Sequence, residues 1–357
     1  MTAPAAAPAP PPPPPLPFKS ALESAAQLFE RLTTVKMPEA KLTVGLDIGS
    51  TAIKVVALGS KKGGAPRPVI GQSLTAIEPG QETDPSGAIK TAVAKLQIPV
   101  RTVNLSVSGQ WVIMRIIEMP VMKPSEMRQA LPFEAQRYLP FSIQDVVVDG
   151  AVLGSIDATK MWVLIVACKK ELIERRLDWV RRAGLEPALI DVDALALANS
   201  FLSGVNGQPR VEGTRLLINV GAQLTSLVIF QGDTPYLVRD VPWGGDKLIR
   251  HVAEQTGLEA GAVQKELVQG EASSALQSAL RLASESLVTE LQLSCDYFEN
   301  RFGQPPDEIL VSGGLGQSAI FREALKSHLS QTVTPWVPVQ GLSGQFAVAY
   351  GLALRTS

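Results

Sequence analysis

Between Lys41 and Gly59 two apolar runs, LTVGLDI and AIKVVAL, flank the polar turn Gly49-Ser50-Thr51. Runs of this length, bounded by small polar residues, predict a β-hairpin, and PVIGQSLTAI predicts a third strand beside it. The period then changes. SGAIKTAVAKLQI places its apolar positions three and four residues apart, which predicts an amphipathic helix, and RTVNLSVSG returns to a strand. Next, WVIMRIIEMP, PSEMRQALPFEAQRYL, QDVVVDGAVLGS, TKMWVLIVACKK and ELIERRLDWVRRAG predict strand, helix, strand, strand and helix. This block, over about residues 111–183, interrupts the first lobe as an inserted subdomain.

After Gly213 the opening pattern recurs. TRLLINVGAQLTSLVIFQ is again an apolar strand, a small-residue turn with a hydroxyl and a second strand, and TPYLVRDVP pairs next. Helices are expected around Asp246–Gly257, Ala260–Leu267 and Leu280–Phe302, followed by the strand EILVSGGLG and the helices QSAIFREALKSHL and QFAVAYGLALR. A repeat this long does not describe a solenoid; it predicts a duplicated α/β domain. The first lobe comprises residues 41–110 and 184–212, and the second residues 213–357 with a helical insertion at about 246–304. Residues 1–40 stand apart. MTAPAAAPAPPPPPPLP is too rich in proline to build a core, while FKSALESAAQLFERL predicts a helix with Ser20 and Glu23 at capping-box spacing. That helix either packs on the protein's own surface or meets a partner or a membrane surface. Its mixed charges (Lys19, Arg31, Glu23, Glu30) weigh against the membrane.

Composition narrows the class. With 357 residues, 45% of them hydrophobic, the chain can bury two globular lobes or one large divided domain. A net charge of −1 gives no basic field for nucleic acid. The two cysteines, Cys168 and Cys295, lie far apart in apolar or amphipathic contexts, which argues against a disulfide framework or a zinc site and for a reducing compartment. MWVLIVAC and LLINV fall short of the ~20 apolar residues of a membrane-spanning helix. The start lacks a basic segment followed by an apolar core, so no secretory signal is expected. These features predict a soluble cytoplasmic protein.

Three turns carry candidate chemistry. In VGLDIGSTAIK, Gly49 removes the Cβ that would hold a phosphate away from the backbone N–H groups, and Ser50 and Thr51 add hydroxyl donors. Lys54 can supply a positive charge if strand alternation aims it at the turn, and Asp47 can hold magnesium through water. The second turn repeats the theme with Asn219, Gly221, Gln223 and Thr225. The third, LVSGGLG, puts Gly313 and Gly314 between a strand and a helix, where a base or a phosphate can approach the backbone. The first alone reads more readily as an ordinary hairpin and the third equally well as a tight strand-to-helix turn; the ordered set points to a polyphosphate held from two sides.

With the terminal AVAYGL helix, these motifs resemble the actin-like ATPase superfamily over roughly residues 41–355. VGLDIGSTAIKVV, LPFEAQRYLPF, GLEPALIDVDALALAN, INVGAQLTSLVIFQG, VPWGGDKL and ILVSGGLG together resemble the PilM family of type IV pilus assembly proteins, which is related to FtsA. The resemblance implies an actin-like, duplicated two-lobed fold with an inserted strand-helix-strand-strand-helix subdomain, and ATP with magnesium in the cleft. It assigns Asp47, Gly49, Ser50, Thr51 and Lys54 to the first phosphate hairpin, Asn219, Gly221, Gln223 and Thr225 to the second, and Gly313 and Gly314 to the adenosine turn. Lys265 matches the lysine of the adenine-side helix, although the usual glutamate is missing near Gly261 or Ala262. Asp191 lies in the first connecting segment, where an acidic residue faces the metal, with Asp193 as a close rival.

The resemblance further implies a cytoplasmic adaptor, peripheral to the inner membrane through its partners. It would capture the N-terminal cytoplasmic peptide of PilN and connect to the pilus motor ATPases, in type IV pilus biogenesis, twitching motility and natural transformation. Arg137, Tyr138 and Phe141 are candidate groove residues for that peptide, although Tyr138, Pro140 and Phe141 read more readily as closing a helix onto a core. Arg175, Arg176, Arg181 and Arg182 read as a solvated basic face or a docking patch. Asn219 stands where many relatives carry aspartate; it accepts a hydrogen bond but adds no charge and takes no proton, so slow hydrolysis is expected. Two other readings stay open at this level: a small-molecule kinase of the same superfamily, which lacks a clear catalytic aspartate between Asp145 and Asp157, and a polymerising FtsA-like division protein.

Overall fold

A computed structural model describes residues 42–60, 66–205, 213–270 and 273–356. The tail and helix expected over residues 1–40 lie outside the described residues. The first sheet contains β1 (Thr43–Ile48), β2 (Ala52–Leu58), β3 (Val69–Ala76), β4 (Thr102–Val107) and β8 (Glu186–Val192), in the order β3-β2-β1-β4-β8. The second contains β9 (Thr214–Val220), β10 (Thr225–Gln231), β11 (Thr234–Val241), β12 (Glu308–Ser312) and β13 (Thr332–Pro335), in the order β11-β10-β9-β12-β13. Each begins with an antiparallel three-strand meander and continues on the far side of its first strand with two parallel additions. The two halves therefore repeat one topology, as the recurring pattern predicts.

Both faces of β1 are covered, which is why it reads as an unbroken apolar run. Val44, Leu46 and Ile48 share a core with Ala88, Ile89, Ala92 and Val93 of helix α1 (Ser86–Ala94). On the other face, Gly45 lets a late helix (Ala347–Leu354) approach so closely that a Cβ would overlap the Ala349 carbonyl. Gly351 of that helix meets the backbone of Ala196 in the helix Asp193–Val205 in the same way.

The inserted sheet, β5 (Val112–Pro120), β6 (Val146–Ser155) and β7 (Lys160–Lys169), has the order β5-β7-β6. One face packs Ile117, Met119, Met161, Val163 and Ile165 against Met127, Leu131 and Ala135 of α2 (Pro124–Gln136). The other places Val112, Met114, Leu164 and Val166 in one core with Phe230 and Val238 of the second sheet and with Leu197 and Phe201. A further contact joins them: Trp162 meets Phe302 edge-on at 5.6 Å between ring centroids, and the Arg301 guanidinium lies 4.7 Å from the Trp162 ring centroid. Helix α3 (Lys170–Arg182) leaves this sheet and returns to the first lobe, where Val180 and the following Ala183 join the β1 core.

GLEPALIDVDALALAN, expected only as a connecting segment, forms β8 and the N-terminal part of α4 (Asp193–Val205). The edge strand β13 escapes sequence reading because TVTP is short and ends in proline. The helical insertion consists of α5 (Gly245–Thr256), α6 (Ala260–Gln269) and α7 (Ser274–Phe302), before α8 (Ala319–Lys326) and the buried α9 (Ala347–Leu354).

Candidate functional site

Strand β1 ends at Ile48, and the chain reverses over Gly49, Ser50 and Thr51. The Gly49 N–H donates to the Ala52 carbonyl at 3.1 Å. A Cβ at Gly49 would lie 2.9 Å from that oxygen and 3.3 Å from Lys54 Nζ, so the tight bend requires glycine. The ladder pairs Asp47 with Lys54, which puts their side chains on one face, and Lys54 Nζ donates to Asp47 Oδ2 at 2.9 Å. Alternation therefore aims Lys54 at the Asp47 carboxylate beside the turn. Thr51 is exposed and Ser50 half-buried.

The second hairpin has the same backbone and different charge. The Gly221 N–H donates to the Leu224 carbonyl at 2.9 Å, while the Gly221 and Ala222 carbonyls accept from the Gly245 and Asp246 N–H groups that open α5. Asn219 faces Ser226 where Asp47 faces Lys54. The Ser226 hydroxyl donates to Asp240 Oδ1 at 2.9 Å, and Asn219 Oδ1 accepts from Ser312 Oγ at 3.2 Å. Thr225 is fully buried and its hydroxyl is committed to the Trp243 carbonyl at 2.8 Å, whereas Gln223 is exposed. At the third turn Gly313 has φ +89°, a left-handed conformation natural to glycine, and a Cβ would overlap the Val220 backbone. Gly313 thus lies against the strand end that enters the second hairpin, with Gly314 exposed beside it.

Acidic groups connect the two lobes. Asp193 opens α4 and accepts from Ser106 Oγ at 2.6 Å. Its carboxyl is pushed up to about 7 by burial first and by the Asp47 charge next, against the Ser106 hydrogen bond. Asp240 on β11 accepts the Gly109 N–H of the first lobe at 2.9 Å. Burial raises its carboxyl, with the Gly109 and Ser226 hydrogen bonds opposing. Asp191, the first choice for a metal-facing residue, is turned elsewhere: Oδ1 accepts its neighbour's Val192 N–H, and Oδ2 lies 3.6 Å from Arg355 Nη1. Asp193, the rival, is the residue whose charge couples to Asp47.

Asp47 and Asp193 are hard oxygen donors whose mutual repulsion a cation relieves. Among the described residues no group of three or more His, Cys, Asp or Glu is arranged to hold a metal.

Lys265 is an exposed residue of α6. At the inserted sheet, Arg137 pairs with Glu134 at 3.2 Å and Tyr138 is partly exposed. Phe141 lies 6.4 Å from Trp111 between ring centroids, with Lys169 Nζ 3.8 Å from the Trp111 centroid. Nearby on α2, Phe133 is 76% exposed. Arg176 departs from the solvated-face reading: Nη1 donates to the Ile48 carbonyl at 2.6 Å. Its spacing could have revealed this, since Leu172, Arg176 and Val180 fall four apart and the outer two are core residues.

The description "Type IV pilus assembly protein PilM" matches residues 45–357. Among solved structures, the chain is similar to one titled a PilM-PilN type IV pilus biogenesis complex, with 26% identity and a TM-score of 0.76 over 89% of this chain and 98% of that one. Two further likenesses concern the fold alone. The ethanolamine utilization protein EutJ from Carboxydothermus hydrogenoformans gives a TM-score of 0.53 at 14% identity, over 94% of this chain and 97% of that one. A Bacteroides thetaiotaomicron protein described as having an actin-like ATPase fold gives 0.50 at 10% identity, over 89% and 97%. The two matched hairpins and the repeated sheet topology agree with that fold, and the chain belongs to the PilM family of type IV pilus assembly proteins.

Proposed function

We propose that this chain binds ATP with magnesium between its two five-stranded sheets and acts as an adaptor of the type IV pilus inner-membrane platform. The observation that carries the nucleotide half is the pair of glycine bends ending β1 and β9, with Asp47 and Asp193 beside the first. Asp47 and Asp193 would hold the metal, which neutralises phosphate charge when bound. Lys54 would orient Asp47, the backbone around Gly49 and Gly221 would hold phosphate oxygens, and Gly313 and Gly314 would admit the adenosine. Hydrolysis is slow in this reading, because Asn219 takes no proton and its amide oxygen is already engaged by Ser312.

The adaptor half rests on the similarity to the structure titled a PilM-PilN complex. The N-terminal cytoplasmic peptide of PilN would lie beside the inserted sheet, near Phe133, Tyr138 and the Trp111–Phe141 pair, which offer aromatic surface for an extended segment. The inserted subdomain at about residues 111–183 would thereby connect the membrane protein to the motor ATPases. Among the described residues no helix is long and apolar enough to cross a membrane, and attachment to the cytoplasmic face would come through partners.

Calorimetry with ATP and magnesium tests the first half. Gly49→Val should weaken binding by at least about tenfold, since its side chain meets the Ala52 carbonyl and Lys54 and would reshape the bend that holds the phosphate. Undiminished binding by a folded Gly49→Val protein would refute the cleft reading. For the second half, a synthetic PilN tail should bind the parent and bind less well to Tyr138→Ala and Phe133→Ala; no binding to the parent would remove the adaptor role.

A further inference from the structure

Four arginines of α3 look alike in sequence, but Arg175, Arg181 and Arg182 are exposed and Arg176 is not. Its Nη1 donates to the Ile48 carbonyl at 2.6 Å, immediately before the first hairpin. The Trp179 ring centroid lies 5.3 Å from its Cζ. The Nε is buried and has no hydrogen-bond partner. The carboxylates that act on this guanidinium are Asp193 and then Asp47. Asp47 is buried and Asp193 and Asp240 are half-buried, and these three carboxylates thus interact in one cluster with two cations, Lys54 and Arg176.

We infer that Arg176 is a built-in counter-cation of the cleft: it fixes the end of β1 and balances Asp47 and Asp193 when no divalent ion is there. It acts through these groups and is a positioning residue. A metal-free polyphosphate entering beside two carboxylates is repelled, and Arg176 offsets that repulsion. A divalent ion brings its own charge and makes Arg176 partly redundant. The residue therefore sets how far polyphosphate binding depends on the metal. The polyphosphate part rests on the nucleotide reading above, whereas the metal part stands without it.

The test compares the parent with Arg176→Met and Arg176→Lys. Binding is measured for ATP with magnesium, for ATP in excess chelator, and for manganese alone by electron paramagnetic resonance. Losing one nearby opposite charge should weaken metal-free ATP on the order of tenfold in the Met variant and magnesium-ATP by much less, while tightening manganese by a similar factor. The Lys variant, which keeps the charge, should remain close to the parent. Equal losses for both forms of ATP, unchanged manganese affinity, or a Lys variant that behaves like Met would each overturn the inference. If the parent binds neither form of ATP, the nucleotide reading fails and manganese alone decides the role of Arg176. Should the Met variant fail to fold, Arg176→Gln takes its place under the same criteria.

Discussion

Gly313 condenses two constraints into one residue. Its φ is +89° and its missing Cβ makes room for the Val220 backbone, so Gly313→Ala meets backbone strain and overlap together. A loss of about 1–3 kcal/mol in urea unfolding is expected, with weaker nucleotide binding in the protein that remains folded. Lys54→Met should cost a comparable amount, about 1–3 kcal/mol, by leaving the Asp47 carboxylate without its charged donor. Asp240 makes a prediction in pH. Burial raises its carboxyl in the fold, so its contribution is present at low pH and is lost as pH climbs through the folded-state value. Asp240→Asn should consequently gain on the parent in urea midpoint as pH rises above about 4, and a gap that shrinks as pH rises would contradict the sign. The glycines of these bends were readable in sequence because backbone geometry demands them. The roles of Asp193 and Arg176 depend on which long-range neighbours surround them, and one strand's alternation does not contain that information.

At the scale of elements, α9 is the informative case. Its residues Ala347 to Ala353 are all buried, and its contacts with β1 and α4 are made through Gly45, Gly351 and Ala196. Gly351→Val would push the helix off α4, and a destabilisation of about 1–3 kcal/mol or more is expected, measured by the shift in thermal midpoint. This helix, buried all round, shows no amphipathic period and was legible through the family resemblance, whereas most strands of the two sheets stand out as apolar runs between turn residues. Sequence periodicity missed β13, whose pairing with β12 comes from neighbouring structure, and it left β8 and α4 merged as one connecting segment. There the strand runs into the helix with no intervening loop at Val192 and Asp193, so period alone does not mark the change from strand to helix.

For the whole molecule, the duplication seen as two recurring turns is realised as two sheets of identical strand order. The inserted sheet belongs to neither copy, and its allegiance is divided. Val112, Met114 and Leu164 share a core with the second sheet, reinforced by Trp162, Arg301 and Phe302, while α3 ends in the core of the first. Phe302→Ala should loosen the first of these attachments, with faster amide exchange in β7 than in β1 as the measurable result; unchanged exchange in β7 would show that the aromatic contact is dispensable.

That divided attachment has a mechanical corollary. The inserted sheet packs on the second sheet and on α4, while the helix that leaves it is rooted in the β1 core, and strand passes into helix at the junction of Lys169 and Lys170. Lys169 is also the residue whose ammonium rests on Trp111, so a displacement of α3 at this junction reaches the Trp111–Phe141 pair through a single side chain.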